Sequence, residues 1–425
     1  MTAAPASGGP WARVRTTFAE YRSLDRRVHW LAFARAVNTV GFSIVLPFMA
    51  VYLHKTRGVS GVGYGAIYFV AGVASALSQG LAGELADRYG RRVVMLTGLG
   101  SRAVNLAALG LAIERHASIA VLAALVISNA TLRGLFEPAA SAAVADLTPP
   151  ERRVAAYGLQ KIGVNVGWAL GPAIGGYLTS ASYGLLFYCA APVTLLAAWA
   201  AAQVRDADLQ RLVARRGEVP AQAANLTSSA SPQGKLPVEF LVLLALAFLM
   251  SVATTQVFST LSVYSEELLH LPRSRVGLIY TINGVIVVAL QIPAVALIGR
   301  VGVGRALVFG PVMYALGYAA FGWAGGFPVL AAVMAFITLG EMMLSPAQTS
   351  TAADLGDPAR LGRAMGLFGL AQQLGVSVGP VVGGLAIDHL GHSHITMWLT
   401  LAALPALVAL GYGVMARRIV TRAQR

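Results

Sequence analysis

Acidic side chains are scarce: 18 Asp and Glu stand against 32 Lys and Arg in 425 residues, and charged residues together make up only 12%. A soluble chain of this size would carry about 25% charged residues to cover its surface, so a water-soluble globular fold is excluded. Cysteine is nearly absent. Cys189 alone cannot form an intramolecular disulfide, and its apolar surroundings assign it to packing. No loop ends in Gly-Lys-Ser/Thr, which excludes ATP coupling through a phosphate loop. No enzyme signature is found, so no cofactor is expected and a proton gradient must supply the energy. No metal site is expected either: His389, His392 and His394 beside Asp388 read as a solvated turn. The first 27 residues are basic and lack an apolar core, which argues against a cleavable signal peptide.

What is abundant is apolar. Hydrophobic residues make up 56% of the chain. A bilayer crossing needs roughly 20 mostly apolar residues, and twelve such stretches are read, centred near residues 41, 74, 103, 132, 167, 194, 251, 287, 314, 340, 375 and 405. Backbone groups in lipid must bond within their own segment, and these runs are too long and continuous for barrel strands, so they are helices. The net charge of +14 could suggest nucleic acid, but its distribution does not. Most Lys and Arg fall before the first stretch, after the last, and in every second loop between them. This is the positive-inside pattern, and it places both termini in the cytoplasm. The Arg- and Ala-rich composition points to a bacterial inner membrane. The expected organisation is a cytoplasmic segment over 1–27, six helices over 28–204, an Ala/Ser/Thr/Pro-rich cytoplasmic linker over 205–236, six helices over 237–417, and a tail over 418–425.

The chain also repeats itself. Aligned on Asp146 and Asp354, 208 residues apart, the pattern G-x8-G-x3-G-P-x2-G-G recurs without a gap. The first copy is Gly158, Gly167, Gly171, Pro172, Gly175 and Gly176; the second is Gly366, Gly375, Gly379, Pro380, Gly383 and Gly384. Val51-Tyr52 matches Val263-Tyr264, Gln79 matches Gln291, and Glu137-Pro138 matches Ser345-Pro346. Two equivalent six-helix halves in an apolar chain point to a transporter with a midplane site between the halves. Repeated glycines let helices approach closely, and a Gly-Pro pair bends one.

Between the second and third stretches, Gly83-Glu84-Leu85-Ala86-Asp87-Arg88-Tyr89-Gly90-Arg91-Arg92 resembles the G-x3-D-R-x-G-R-R motif of the major facilitator superfamily. The fifth stretch resembles that family's antiporter motif, and Arg133-Gly134 its mid-span Arg. The resemblance covers essentially the whole chain. It implies an all-α membrane protein of twelve transmembrane helices in two pseudo-symmetric six-helix halves, acting as a monomer on small molecules and protons in the lipid bilayer, without nucleic acid. Within the superfamily the chain is similar to twelve-span bacterial drug:proton antiporters, which implies proton-driven export of small amphipathic or cationic compounds. Uptake or facilitated transport of a native sugar, amino acid or small organic acid is the alternative, and a non-transporting membrane receptor is a third. The family's loop motif implies gating by Gly83, Asp87, Arg88, Gly90, Arg91 and Arg92, with Asp87 capping the helix that begins near Leu361–Ala364. The second half departs from it: Gly299-Arg300-Val301-Gly302 has no Asp.

Charge within the spans is the sharpest chemical signal, because an ionised group at mid-bilayer costs at least about 2.5–3.5 kcal/mol unless it is paired or wet. Arg133 and Glu137 lie i and i+4 on one helix and can pair. Glu341 occupies the position in the repeat that corresponds to Arg133. The family places its first, fourth, seventh and tenth helices around the cavity, which implies that Arg35, Asn38, Arg133, Glu137, Gln256 and Glu341 share it. A coupling carboxylate must change its protonation as its surroundings alternate between wet and dry; Glu341 and Glu137, with Arg133, are the candidates. Arg102 and Lys161 are expected to snorkel or to pair with a carboxylate. An anionic substrate would suit cavity arginines and a cationic one cavity carboxylates, and the two remain open.

Overall fold

The computed structural model describes residues 21–149, 152–205, 237–356 and 361–423. The expected N-terminal segment and the linker fall almost wholly outside these residues. Among the described residues, twelve long helices follow in sequence. In the first half they are α1 (Arg26–Ser43, resuming at Leu46–Val51), α2 (Gly61–Tyr89), α3 (Arg91–Glu114), α4 (Ile119–Leu147), α5 (Arg153–Ala181) and α6 (Tyr183–Ala202). In the second they are α7 (Val238–Thr255, resuming at Thr260–Val263), α8 (Arg273–Val301), α9 (Val303–Phe321), α10 (Phe327–Leu355), α11 (Leu361–Leu390) and α12 (His394–Ala423). Helix α12 thus continues beyond the expected boundary at 417. Among the described residues, 11 helices are long and apolar enough to cross a membrane. The exception is α5, where five glycines of the repeat motif with Lys161 and Asn165 dilute the hydropathy of a helix that packs on two neighbours.

Local chemistry explains the helix ends. Asp25, Ser60, Ser118 and Ser182 each accept a backbone N–H in the first turn of α1, α2, α4 and α6, satisfying donors that a helix cannot bond itself. Gly90 and Gly302 link α2 to α3 and α8 to α9 at φ +94° and +93°, a conformation that strains any residue with a Cβ. The repeat therefore kept its turn where it lost the Asp. The break in α1 ends at Pro47, which cannot donate to the Ser43 carbonyl. In α7 the break over Gln256–Ser259 follows side chains that bond back to the preceding turn: Thr255 to Ser251 O at 2.7 Å and Gln256 to Val252 O at 2.8 Å. Both helices finish in a wide π-type turn, Tyr52–Thr56 and Tyr264–Leu268.

Each half is a bundle, and the halves meet along two antiparallel seams, α2 against α11 and α5 against α8. One apolar core runs through the second half and continues into the first at Ile44–Leu53, Leu106–Ile113 and Tyr183–Ala191. A second core, including Val28, Leu31, Met95, Phe136 and Ala200, stays within the first half near the end that carries the chain termini. The apolar core thus joins the halves at the far end, opposite the termini. Leu77, Val104, Leu316 and Leu410 are among many large apolar side chains left exposed on the outside of the bundle, as a lipid-facing surface requires.

Candidate functional site

The glycine repeats build the seams. On α5, a Cβ at Gly167, Gly171 or Gly175 would collide with Thr39, Ser43 and Ile44 of α1, while one at Gly176 would meet the Arg273 carbonyl at the start of α8. On α11, Gly375, Gly379 and Gly383 lie in the same way against α7, and Gly384 rests on the Gly61 backbone of α2. Each motif therefore packs within its half and also across to the other. Ser43 donates to Gly167 O and Gln256 to Gly379 O, both at 2.9 Å. Gly65 and Gly72 of α2 and Gly277 and Gly284 of α8 extend the same close contact. Towards the end where α1 begins and α12 finishes the seams open: among the described residues, a Cβ at Gly80, Gly83, Gly299, Gly366 or Gly369 would meet nothing within 4 Å. Gly158, at the same end, faces only Tyr21.

Polar contacts lock the far end. Glu266 at the end of α7 accepts from Arg273 Nε at 2.9 Å and lies 3.4 Å from Lys55 Nζ across the halves. Arg273 also donates to Thr179 O at 2.7 Å, and His54 Nε2 lies 3.4 Å from Glu267. Asp388, at the last turn of α11, accepts from the backbone N–H of Gly61 at 2.7 Å and of Val62 at 2.9 Å. It therefore caps α2 across the seam instead of belonging to a free histidine turn; His394 packs edge-on to Tyr264.

Asp87 shows the complementary arrangement. Its side chain is 70% exposed and pairs with Arg91 at 2.6 Å, not with the start of α11 as the family motif implies. Arg91 also reaches Asp146 of α4 at 3.3 Å, and Arg88 lies over the Tyr89 ring. Asp87 therefore makes its contact within its own half, and a Cβ at Gly80 or Gly83 on the same helix would meet no described atom within 4 Å.

Below the far-end seal lies a cavity of about 420 Å³, lined among others by Phe42, Tyr68, Arg102, Arg133, Trp168 and Phe258. Glu341 lines a second cavity of about 180 Å³ with Asn283, Tyr314 and Gln348. Thr254 and Phe258 border both. Among the described lining residues of the larger cavity there is no Asp or Glu.

The expected cavity set is therefore only partly gathered. Arg133 does not pair with Glu137; its guanidinium sits 3.8 Å above the Phe42 ring. Glu137 instead pairs with Arg35 of α1, because the i+4 spacing brings two residues onto one face but does not decide which neighbouring helix offers the better partner. Arg35 and Glu137 do not line either cavity. Asn38 is buried and accepts from Arg102. Gln256 is buried against α11, donating to Gly379 O and accepting from Thr260 Oγ1 at 2.6 Å. Lys161 is exposed. Arg102 joins the cavity through a polar chain: Nε to Asn129 Oδ1 at 3.3 Å, then Asn129 to Asn105 at 3.1 Å. The 212-residue offset shared by Tyr52 and Tyr264 also relates Arg102 to Tyr314, a signal available in the sequence.

Asp388→Asn should loosen the far end. Asp388 uses both oxygens, and Asn keeps one acceptor and loses the charge, at a cost of about 0.3–1 kcal/mol from the helix dipole. With Cys189 replaced by Ser and a cysteine placed at Ser259 in the cavity, labelling by an impermeant maleimide from the far side should rise severalfold. An unchanged rate would show that the cap does not contribute to the seal.

Two pseudo-equivalent bundles, sealed at one end over a cavity and parted at the other, define a polytopic membrane transporter and not an enzyme. The family model of the Major Facilitator Superfamily matches residues 31–287 and 244–425, and the chain belongs to that family. Its relatives include the uncharacterized MFS-type transporter YqjV of Bacillus subtilis, 26% identical over 89% of this chain and 93% of that one. Multidrug resistance protein MdtH of Photorhabdus laumondii is 26% identical over 88% of each chain. Among solved structures, the peptide transporter POT in complex with sulfate superposes with a TM-score of 0.73 at 16% identity, covering 95% of this chain and 98% of that one. A bacterial homologue of the human lysosomal transporter Spinster gives 0.73 at 15%, covering 94% and 98%.

Proposed function

We propose that the protein exports small amphipathic compounds across a bacterial inner membrane in exchange for protons, with both termini in the cytoplasm and the parted end of the bundle facing it. The observation that carries this reading is Glu341. It is half-buried in mid-helix, accepts from Asn283 at 3.0 Å, lines its cavity beside Tyr314, and has no cation within ion-pair distance among the described residues. A carboxylate so placed can trade a proton for a substrate group as its surroundings change. Multidrug resistance proteins among the relatives, together with the paired glycine motifs, favour export.

Alternating access follows from the seams. In this state Asp388 at the end of α11 caps the start of α2. When the far end opens, α2 and α11 close at the cytoplasmic side, and Asp87 at the end of α2 caps the start of α11. The two antiparallel helices thus exchange one carboxylate cap for the other, each worth about 0.3–1 kcal/mol from the helix dipole, so neither state is held too firmly to be left.

The test is reconstitution in liposomes with a trapped pH-sensitive dye, an imposed proton gradient, and a panel of cationic, anionic and amphoteric aromatic compounds. Substrate-dependent proton counterflow is expected. Substrate flux with no proton movement would make the protein a facilitator.

A further inference from the structure

The two cavities that meet at Thr254 and Phe258 differ in charge. On the first-half wall, Arg102 is 1% exposed and uses Nη1 on Asn38 and Nε on Asn129, leaving Nη2 without a hydrogen-bond partner. Arg133 makes no hydrogen bond or ion pair with any described residue. The nearby carboxylate, Glu137, is engaged by Arg35, so it offsets at most one of three guanidiniums. On the second-half wall stands Glu341, held by the neutral amide of Asn283. A buried donor or charge left without a partner is costly, and here both walls carry one.

The space between them is aromatic. Arg133 lies over Phe42, Phe42 meets Trp168 edge-on at 5.9 Å, and Trp168 meets Phe258 at 4.7 Å. Phe258 borders the Glu341 cavity. A run of rings therefore leads from the cationic wall to the acidic one.

From this geometry we infer that the substrate is amphoteric: a flat apolar body with an anionic group for Arg102 and Arg133 at one end and a cationic group for Glu341 at the other. This rests on the larger cavity being the transport site. A purely cationic compound would leave two guanidiniums unanswered, and a purely anionic one would face Glu341 unpaired. The cationic end competes with the proton for Glu341, which is how substrate and proton exclude each other. The anionic end stays with the arginines and fixes the pose.

The test measures binding by calorimetry to the full-length protein in lipid nanodiscs at neutral pH, with three naphthalene probes: a sulfonate, a methylammonium, and one carrying both groups. The doubly charged probe should bind at least about tenfold more tightly than either singly charged one, as a second charge-assisted contact provides. Arg102→Met and Arg133→Met should each weaken the sulfonate and the doubly charged probe by about tenfold and leave the ammonium unchanged. Glu341→Gln should weaken the ammonium and the doubly charged probe and spare the sulfonate. Arg133→Lys should keep most of the sulfonate affinity. A doubly charged probe that binds no better than the stronger single one overturns the inference, and that ranking needs no variant. Binding as expected without proton movement in liposomes would remove the antiport reading and leave this inference standing. Proton counterflow driven by the ammonium alone, with no affinity for the sulfonate, would do the reverse.

Discussion

Glu341→Gln is expected to reduce proton counterflow in liposomes to the level of protein-free vesicles, while substrate still exchanges down its own gradient. The amide matches the carboxylate in size and can still accept from Asn283, so the fold and cavity should persist. What disappears is the one acidic side chain among the described residues lining the second-half cavity, and with it the carboxylate that would exchange a proton for a cationic partner. The exchange of one ligand for the other then has no titrating site. Glu137→Gln provides the contrast. Its carboxylate holds Arg35 between α1 and α4. Breaking a buried pair from one side costs about 3–5 kcal/mol when burial is complete, and less here because the two side chains are 15% and 25% exposed. A lower melting temperature with coupling retained is the expected result. If coupling fails in Glu137→Gln and survives in Glu341→Gln, the proton site belongs to α4.

The second large effect concerns the seams, and its sign depends on which end is altered. At the far end, Gly384 rests on the Gly61 backbone and Gly65 on Pro380 and Val381. Gly384→Leu should force α2 and α11 apart there, because backbone cannot move aside as a flexible side chain does. Labelling of a cavity cysteine from the far side should rise by about tenfold or more, since every 1.4 kcal/mol is worth a factor of ten in the balance between states. Net export should stop. At the other end, Gly366→Leu adds a side chain where no described residue lies within 4 Å. This state should tolerate it, while closure of the cytoplasmic end is blocked, so labelling from the far side should fall below that of the parent. Equal behaviour of the two variants would mean that α2 and α11 do not form the moving seam.

Much of the architecture was legible in the chain. Twelve apolar runs, the two glycine motifs and the correspondence of Tyr52 with Tyr264 all have counterparts in the helices, seams and π-type turns. These features are written in local composition and spacing. The polar partners were not. That Glu137 pairs with Arg35, that Arg102 bonds Asn38, and that Asp388 caps α2 at Gly61 are contacts between residues 102, 64 and 327 positions apart, chosen by how helices rotate against each other. Gln256 and Asn38 show the converse, since polar residues on cavity-forming helices can turn away to hold a neighbouring helix. The state of the gates was hidden for a further reason. Asp87 can pair with Arg91 or cap α11, and the same sequence must allow both.

An unbroken duplication would have given the two walls the same chemistry, and an elongated solute could then lie either way round with equal ease. Arg133 facing Glu341 across the duplication, and Arg102 facing Tyr314, remove that degeneracy. The site has a head and a tail, and a bound molecule has one orientation. A photoreactive group carried at the anionic end of a ligand should therefore mark α3 and α4, and the same group at the cationic end should mark α10.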